Sequence, residues 1–286
     1  MNSMNSMNSM NSMNSRSQIL GVLISLGTMA IPCTTAAHDT WVQTATHTVC
    51  ADDVVHIDLC LGNHGNDHRD FKFASKLDSL EGAAIDVLLP RGVRTDLLPD
   101  LVDLGYAPKE GFWSARFIAS QQGLHCVAHT LDKLHRTTRG IKSAKTYFLV
   151  VDSLGKTPPL AKKSAATEDF SKPLGHPLEI VLETHPVLGM APGKEIAVRL
   201  FFRGQPLADQ KVSFIPRGAS LAVDFDPDFE RKTDPEGRCR WTPKEGNFVL
   251  VVAHHSRPEE TGEGYDKTSY SAALVLNVPQ RCTCCE

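Results

Sequence analysis

The chain has 286 residues, a formal net charge of −3 and 41% apolar residues, a profile that fits one large or two ordinary globular domains. Its 33 acidic residues slightly outnumber 30 basic ones, and no basic stripe with interleaved aromatics is present, which argues against a nucleic-acid partner. The longest apolar run, "ILGVLISLGTMAI" at 19–31, is shorter than the roughly 20 residues a membrane-spanning helix needs, so no transmembrane helix is expected in the mature chain.

In chain order, residues 1–15 are five copies of "MNS", a polar low-complexity stretch that cannot build a core. Arg16, the apolar run, Pro32 and the small residues Thr35, Ala36 and Ala37 then read as a secretory signal. Residues 1–37 are therefore set aside as leader and signal peptide, and a periplasmic or secreted location is expected. Cleavage after Ala37 makes His38 the new N-terminus, with a free amine beside an imidazole. It removes all methionines but Met190 and keeps all twelve histidines. A soft thioether site is thereby excluded, and any metal chemistry must be imidazole chemistry. Seven cysteines remain; Cys50 and Cys60 flank a turn between two short strands and are the first candidate pair.

The runs "TWVQTA", "VVHIDLCLG", "AAIDVLLP", "FWSARFIAS", "GLHCVAHT" and "KTYFLVV" read as strands, whereas "DFKFASKLDSL" and "DLLPDLVDLG" are less regular and are expected to hold helical turns. Residues 156–173 carry Pro, Ser and Lys without period and read as a linker. Beyond it, "LEIVLET", "KEIAVRLFF", "QKVSFI", "GRCRWT", "NFVLVVAH" and "SYSAALVLNV" alternate with turn signals such as Pro192-Gly193 and Asp234-Pro235-Glu236-Gly237. "NFVLVVAH" is apolar on both faces and marks a central strand. The fold class is all-β: two β-sandwich-like domains at 38–155 and 174–280, the second immunoglobulin- or prealbumin-like. A Cys-rich tail at 281–286 follows.

Several chemistries are absent. There is no H-E-x-x-H, P-loop or G-x-G-x-x-G, and "GASLA" around Ser220 ends in Ala and lies between strands, so it is no nucleophile elbow. "DFDPDFE" sets Asp224, Asp226, Asp228 and Glu230 at spacing two but lacks the Gly and Glu of an EF-hand loop; a solvated acidic edge is the simpler expectation. "CTCC" at 282–285 lacks the paired spacing of a structural zinc site. Histidines remain. His64 and His68 sit in a Gly/Asn/Asp-rich loop that can fold both onto one ion. His125 and His129 lie on one face of a strand about 13 Å apart, too far to share a metal. His254 and His255 end the central strand and point to opposite faces, so at most one enters a given site.

The segments "AHDTW", "PLGHPLEIVLETHPVLGMAPGKEIAVRLFFRGQPLADQKVSFIPRG", "TDPEGR" and "VVAHHSRP…SYSAALVLNV" together resemble a bacterial family of secreted two-domain proteins of unknown function (DUF4198-like), labelled a nickel- or cobalt-uptake-associated periplasmic component. The resemblance covers about 173–278 and 38–43. It implies a periplasmic β-protein that handles a divalent metal, with His38, His64 and His254 at the family's histidine positions and a membrane metal transporter as partner. The acidic stretch and the Cys-rich tail depart from the family pattern.

The expected function is thus non-catalytic binding or delivery of a divalent transition metal, nickel or cobalt foremost, with copper and zinc as alternatives. His38, His64 and His254 supply imidazoles, the freed amine is a fourth donor, and binding weakens as pH falls through about 6.5. Two other readings stand beside it: a β-sandwich interaction module without metal, and a copper histidine brace built on the His38 amine and imidazole.

Overall fold

A computed structural model describes residues 38–65, 68–154, 169–222 and 224–280, with the backbone alone at 63–65, 68, 74 and 169; the leader, most of the linker and the tail lie outside them. The described residues form eighteen strands: β1 His38–Thr44, β2 Thr48–Cys50, β3 Val54–Gly65, β4 His68–Ser75, β5 Ala83–Leu88, β6 Arg94–Asp96, β7 Val102–Asp103, β8 Trp113–Ile118 and β9 Gly123–His135, then β10 Thr138–Val151, β11 Leu178–Leu182, β12 Ile196–Phe202, β13 Gln205–Pro206, β14 Lys211–Pro216, β15 Glu230–Lys232, β16 Arg238–Trp241, β17 Asn247–Arg257 and β18 Lys267–Val278. Every run read as a strand is one. "DFKFAS", expected to hold helical turns, is the strand β4, whereas "DLLPD" does contain a 3-10 turn at Leu98–Asp100.

The strands build three sheets. One runs β1-β3-β8-β7 with β4 added on β3; another runs β11-β12-β13 with β16 added on β12. Between them lies a nine-stranded sheet, β15-β14-β17-β18-β10-β9-β5-β6, with β2 added on β10. Side-chain parity explains the layering. Along β17, Leu250 and Val252 join the core beneath β1 and β3, whereas Val249, Val251 and Ala253 join the core beneath β11 and β12. On β10, Phe148 and Val150 face the first core and Tyr147, Leu149 and Val151 the second. A strand apolar on both faces must be covered on both, and here each face receives one smaller sheet.

The two sandwich-like halves therefore share their middle layer. β10 from the first half pairs in parallel with β18 from the second, from Thr138↔Lys267 to Thr146↔Val275, and the described residues form one compact unit. The signal was present in the sequence: "KTYFLVV" and "SAALVLNV" are as two-faced as "NFVLVVAH". Read as strands of separate domains, they gave no hint of pairing with each other.

Two local expectations are corrected. Cys50 and Cys60 are not bridged: both are free, as are Cys126 and Cys239. Cys50 is held by β2 pairing with the end of β10, and Cys60 is a core residue opposite Trp41. The acidic stretch is only partly a solvated edge. Asp226 accepts backbone N–H groups of Ala222 and Asp228 at 2.9 Å each, closing its own loop. Glu230 is fully buried, ion-paired with Arg69 of β4 and bonded to Ser213 Oγ at 2.7 Å.

Candidate metal-binding site

The opening "HDTW" forms β1 because its alternating residues meet two surfaces. β1 pairs antiparallel with β3, from His38↔Asn63 to Thr44↔Ile57, and lies against β10 and β18 of the central sheet. Trp41 anchors it: the indole packs on Phe71 with centroids 5.3 Å apart and lies directly over Gly62. A Cβ at Gly62 would fall inside the Trp41 ring, so glycine there is a requirement of close approach.

This anchoring puts Asp39 against the end of β17. Asp39 is 1% exposed, and both its carboxylate oxygens lie 2.9 Å from Nε2 of His254. The bond joins residues 215 positions apart in the chain. Lys142 of β10 donates to the His38 carbonyl oxygen, and its ammonium is drawn to Asp39 while burial lowers its pKa. The imidazole of His38 is exposed at the rim. Its pKa is lowered first by partial burial, then by the Lys142 cation and His135, with Asp39 opposing. His135 sits at the end of β9, a neighbour that sequence reasoning did not single out.

Of the three residues expected to ligate, His38 and His254 thus border the same carboxylate, on β1 and β17. His64 follows Asn63, the cross-strand partner of His38, so its backbone reaches the same end of the layers; its side chain lies outside the described residues. Among the described residues no three His, Cys, Asp or Glu side chains are grouped to hold a metal ion. His255 points the opposite way, as its parity demands, with Nδ1 3.2 Å from Gln210 Oε1 and its ring against Phe202.

Three other histidines, His125, His129 and His185, are buried. His125 is fully buried, stacked on Phe148 at 4.8 Å, and His129 bonds the Ala84 carbonyl of β5 at 2.8 Å. His185, within "ETHPVLGM", accepts the N–H groups of Val187 and Leu188 at Nδ1, both at 3.1 Å. Glu179, within "PLGHPLE", is likewise structural. It takes the backbone N–H groups of Leu174, Gly175 and His176 and the buried Lys145 ammonium at 2.7 Å. In "TDPEGR", Asp234 Oδ1 closes a tight turn through the N–H groups of Glu236 and Arg238, with Gly237 at φ 76°. Most motifs that carried the resemblance therefore stabilise turns and layers; "AHD" and "VVAHH" are the two that meet at one place.

The class defined by these observations is an all-β, layered-sandwich protein with a histidine–carboxylate pair at one end. The chain belongs to the family described as a domain of unknown function, DUF4198, which it matches over residues 35–257. No curated protein matches it. Solved structures similar to it include the D0–D1 domain of Intimin (11% identity, 83% of this chain and 97% of that chain, TM-score 0.23). Others are a DUF4785 family protein from Legionella pneumophila (9% identity, 74% and 51%, TM-score 0.27) and fibronectin(III)-like modules of CbhA from Clostridium thermocellum (10% identity, 82% and 93%, TM-score 0.20). At such scores nothing passes from them to this chain, and the fold rests on the strand pairings above. No helix among the described residues is long and apolar enough to cross a membrane.

Proposed function

We propose that this protein binds a divalent transition-metal ion at the β1–β17 junction and delivers it without chemical change, nickel or cobalt being the favoured cargo and a membrane metal transporter the partner. The observation that supports this reading is the Asp39–His254 pair. A buried carboxylate on one ring nitrogen fixes the tautomer and raises the basicity of the other, the arrangement typical behind metal-ligating histidines. His254 would then ligate through Nδ1, with His38 and His64 as further imidazoles; such a set suits nickel, cobalt, copper and zinc. The test is calorimetric titration of the secreted chain starting at His38. One nickel or cobalt ion should bind, and His254→Ala and His38→Ala should each weaken it by about tenfold or more. Absence of saturable binding by nickel, cobalt, copper and zinc would overturn the reading.

A second reading, a β-sandwich interaction module, is favoured by one feature. Val102 and Leu104 at the short edge strand β7, with Tyr106 beyond it, are 59%, 49% and 85% exposed, and exposed apolar groups at a sheet edge are typical contact surface. Failure of the metal titration would shift the assignment there. Copper-dependent consumption of peroxide would instead indicate a histidine brace and an oxidative enzyme.

A further inference from the structure

A cleft of about 680 Å³ opens between β4 and the turn after β14, a size in the range of small-molecule sites. Its walls come from "DFKF" at 70–73 and "RGAS" at 217–220, closed by a backbone bridge between Asp70 and Ser220. The cleft lies apart from the Asp39–His254 pair and shares no residue with it.

The floor is aromatic. Trp41 and Phe71 lie deep, while Phe73, 39% exposed, meets Phe112 edge to face at 5.9 Å nearer the mouth. Arg217 enters with its guanidinium over the Phe71 ring at 4.8 Å and the Phe248 ring at 4.9 Å. Its Nη2 donates to Gln43 Oε1 at 2.8 Å, an oxygen that also takes the Trp41 indole N–H at 3.2 Å. The guanidinium is therefore held in orientation before any ligand arrives, and its planar fork suits a carboxylate. Asp70 also lines the cleft, and its Oδ1 is shielded from solvent with no hydrogen-bond partner among the described residues. A carboxylate in the cleft wall is a charge-assisted hydrogen-bond partner for an arriving ammonium.

We infer that this cleft binds a free α-amino acid with an apolar or aromatic side chain, its carboxylate on Arg217, its ammonium on Asp70 and its side chain on the Phe73–Phe112 wall. Each element of the ligand answers a group the cleft already presents, and the fixed Arg217 lowers the ordering cost of binding.

The experiment is calorimetric titration of the full chain with L-phenylalanine, phenethylamine and 3-phenylpropionate. L-Phenylalanine should bind saturably, and each analogue, lacking one charge, should bind about tenfold more weakly or worse. Arg217→Met should abolish the preference for L-phenylalanine over phenethylamine, and Asp70→Asn its preference over 3-phenylpropionate. Because the three ligands are compared first on the unaltered protein, a variant that fails to fold leaves the test intact. No saturable binding of L-phenylalanine, or equal binding of all three, would overturn the inference.

Discussion

At the scale of single residues, two positions decide whether the β1–β17 junction exists. Asp39 gives up hydration to hold His254, and a neutral amide in its place keeps the shape but loses the charge. On the proposed metal-binding reading, Asp39→Asn should therefore leave the fold intact while weakening nickel or cobalt binding by about 10–100-fold; calorimetry beside an unchanged thermal midpoint checks it. An affinity equal to that of the unaltered chain would show that His254 needs no orienting carboxylate. Gly62 acts on the same junction through sterics. Gly62→Ala drives a methyl into the Trp41 ring and toward the Lys72 carbonyl, so β1 must shift, at a cost of about 1–3 kcal/mol in denaturant unfolding. The amide signals of β1 should move with it.

At the scale of elements, β9 and the turn after β11 carry buried histidines whose neutrality is built in. Burial lowers the pKa of both His129 and His185 to about 4. Protonating His185 would put a hydrogen on the Nδ1 that accepts the Val187 and Leu188 N–H groups. The unfolded chain takes these protons near pH 6.5 and the folded chain only near 4. Their stabilising contribution is thus complete above about 6.5 and is lost as pH falls from there toward about 4. The urea midpoint should fall steadily between pH 7 and 4, and His129→Gln should flatten part of the slope. A midpoint constant from pH 7 to 5 would mean that these rings are charged in the native state. The alternation along β17 belongs to this scale as well. One residue of register separates His254 on Asp39 from His255 on Gln210, and strand geometry alone sends them to opposite cores.

At the scale of the whole molecule, the nine-stranded sheet makes the halves interdependent. Its parallel β10–β18 pair joins residues 129 positions apart, and both faces of β10, β17 and β18 are covered by different sheets. A fragment of residues 38–155 would expose the second face of β10 and an unpaired edge. We expect it to remain unfolded or to aggregate, whereas the chain from His38 onward unfolds in one cooperative step. Circular dichroism and size-exclusion chromatography of the fragment test this; a monomeric, folded 38–155 would show that the first half is autonomous.

The all-β class, the strands and the opposite orientation of His254 and His255 could all be read from the sequence, because strand periodicity and turn chemistry are local. So could the separation of His125 from His129, which follows from the rise per residue. What the chain order concealed was long-range. Asp39 stood inside "AHDTW" without any sign that its partner lay on β17, and Glu230 stood in an acidic run without any sign of Arg69. Whether the two halves are separate or joined was equally hidden, since two-faced apolar strands declare that both faces are covered but not by what. Those pairings depend on which buried surfaces and charges find each other across the fold, and only the assembled layers decide that.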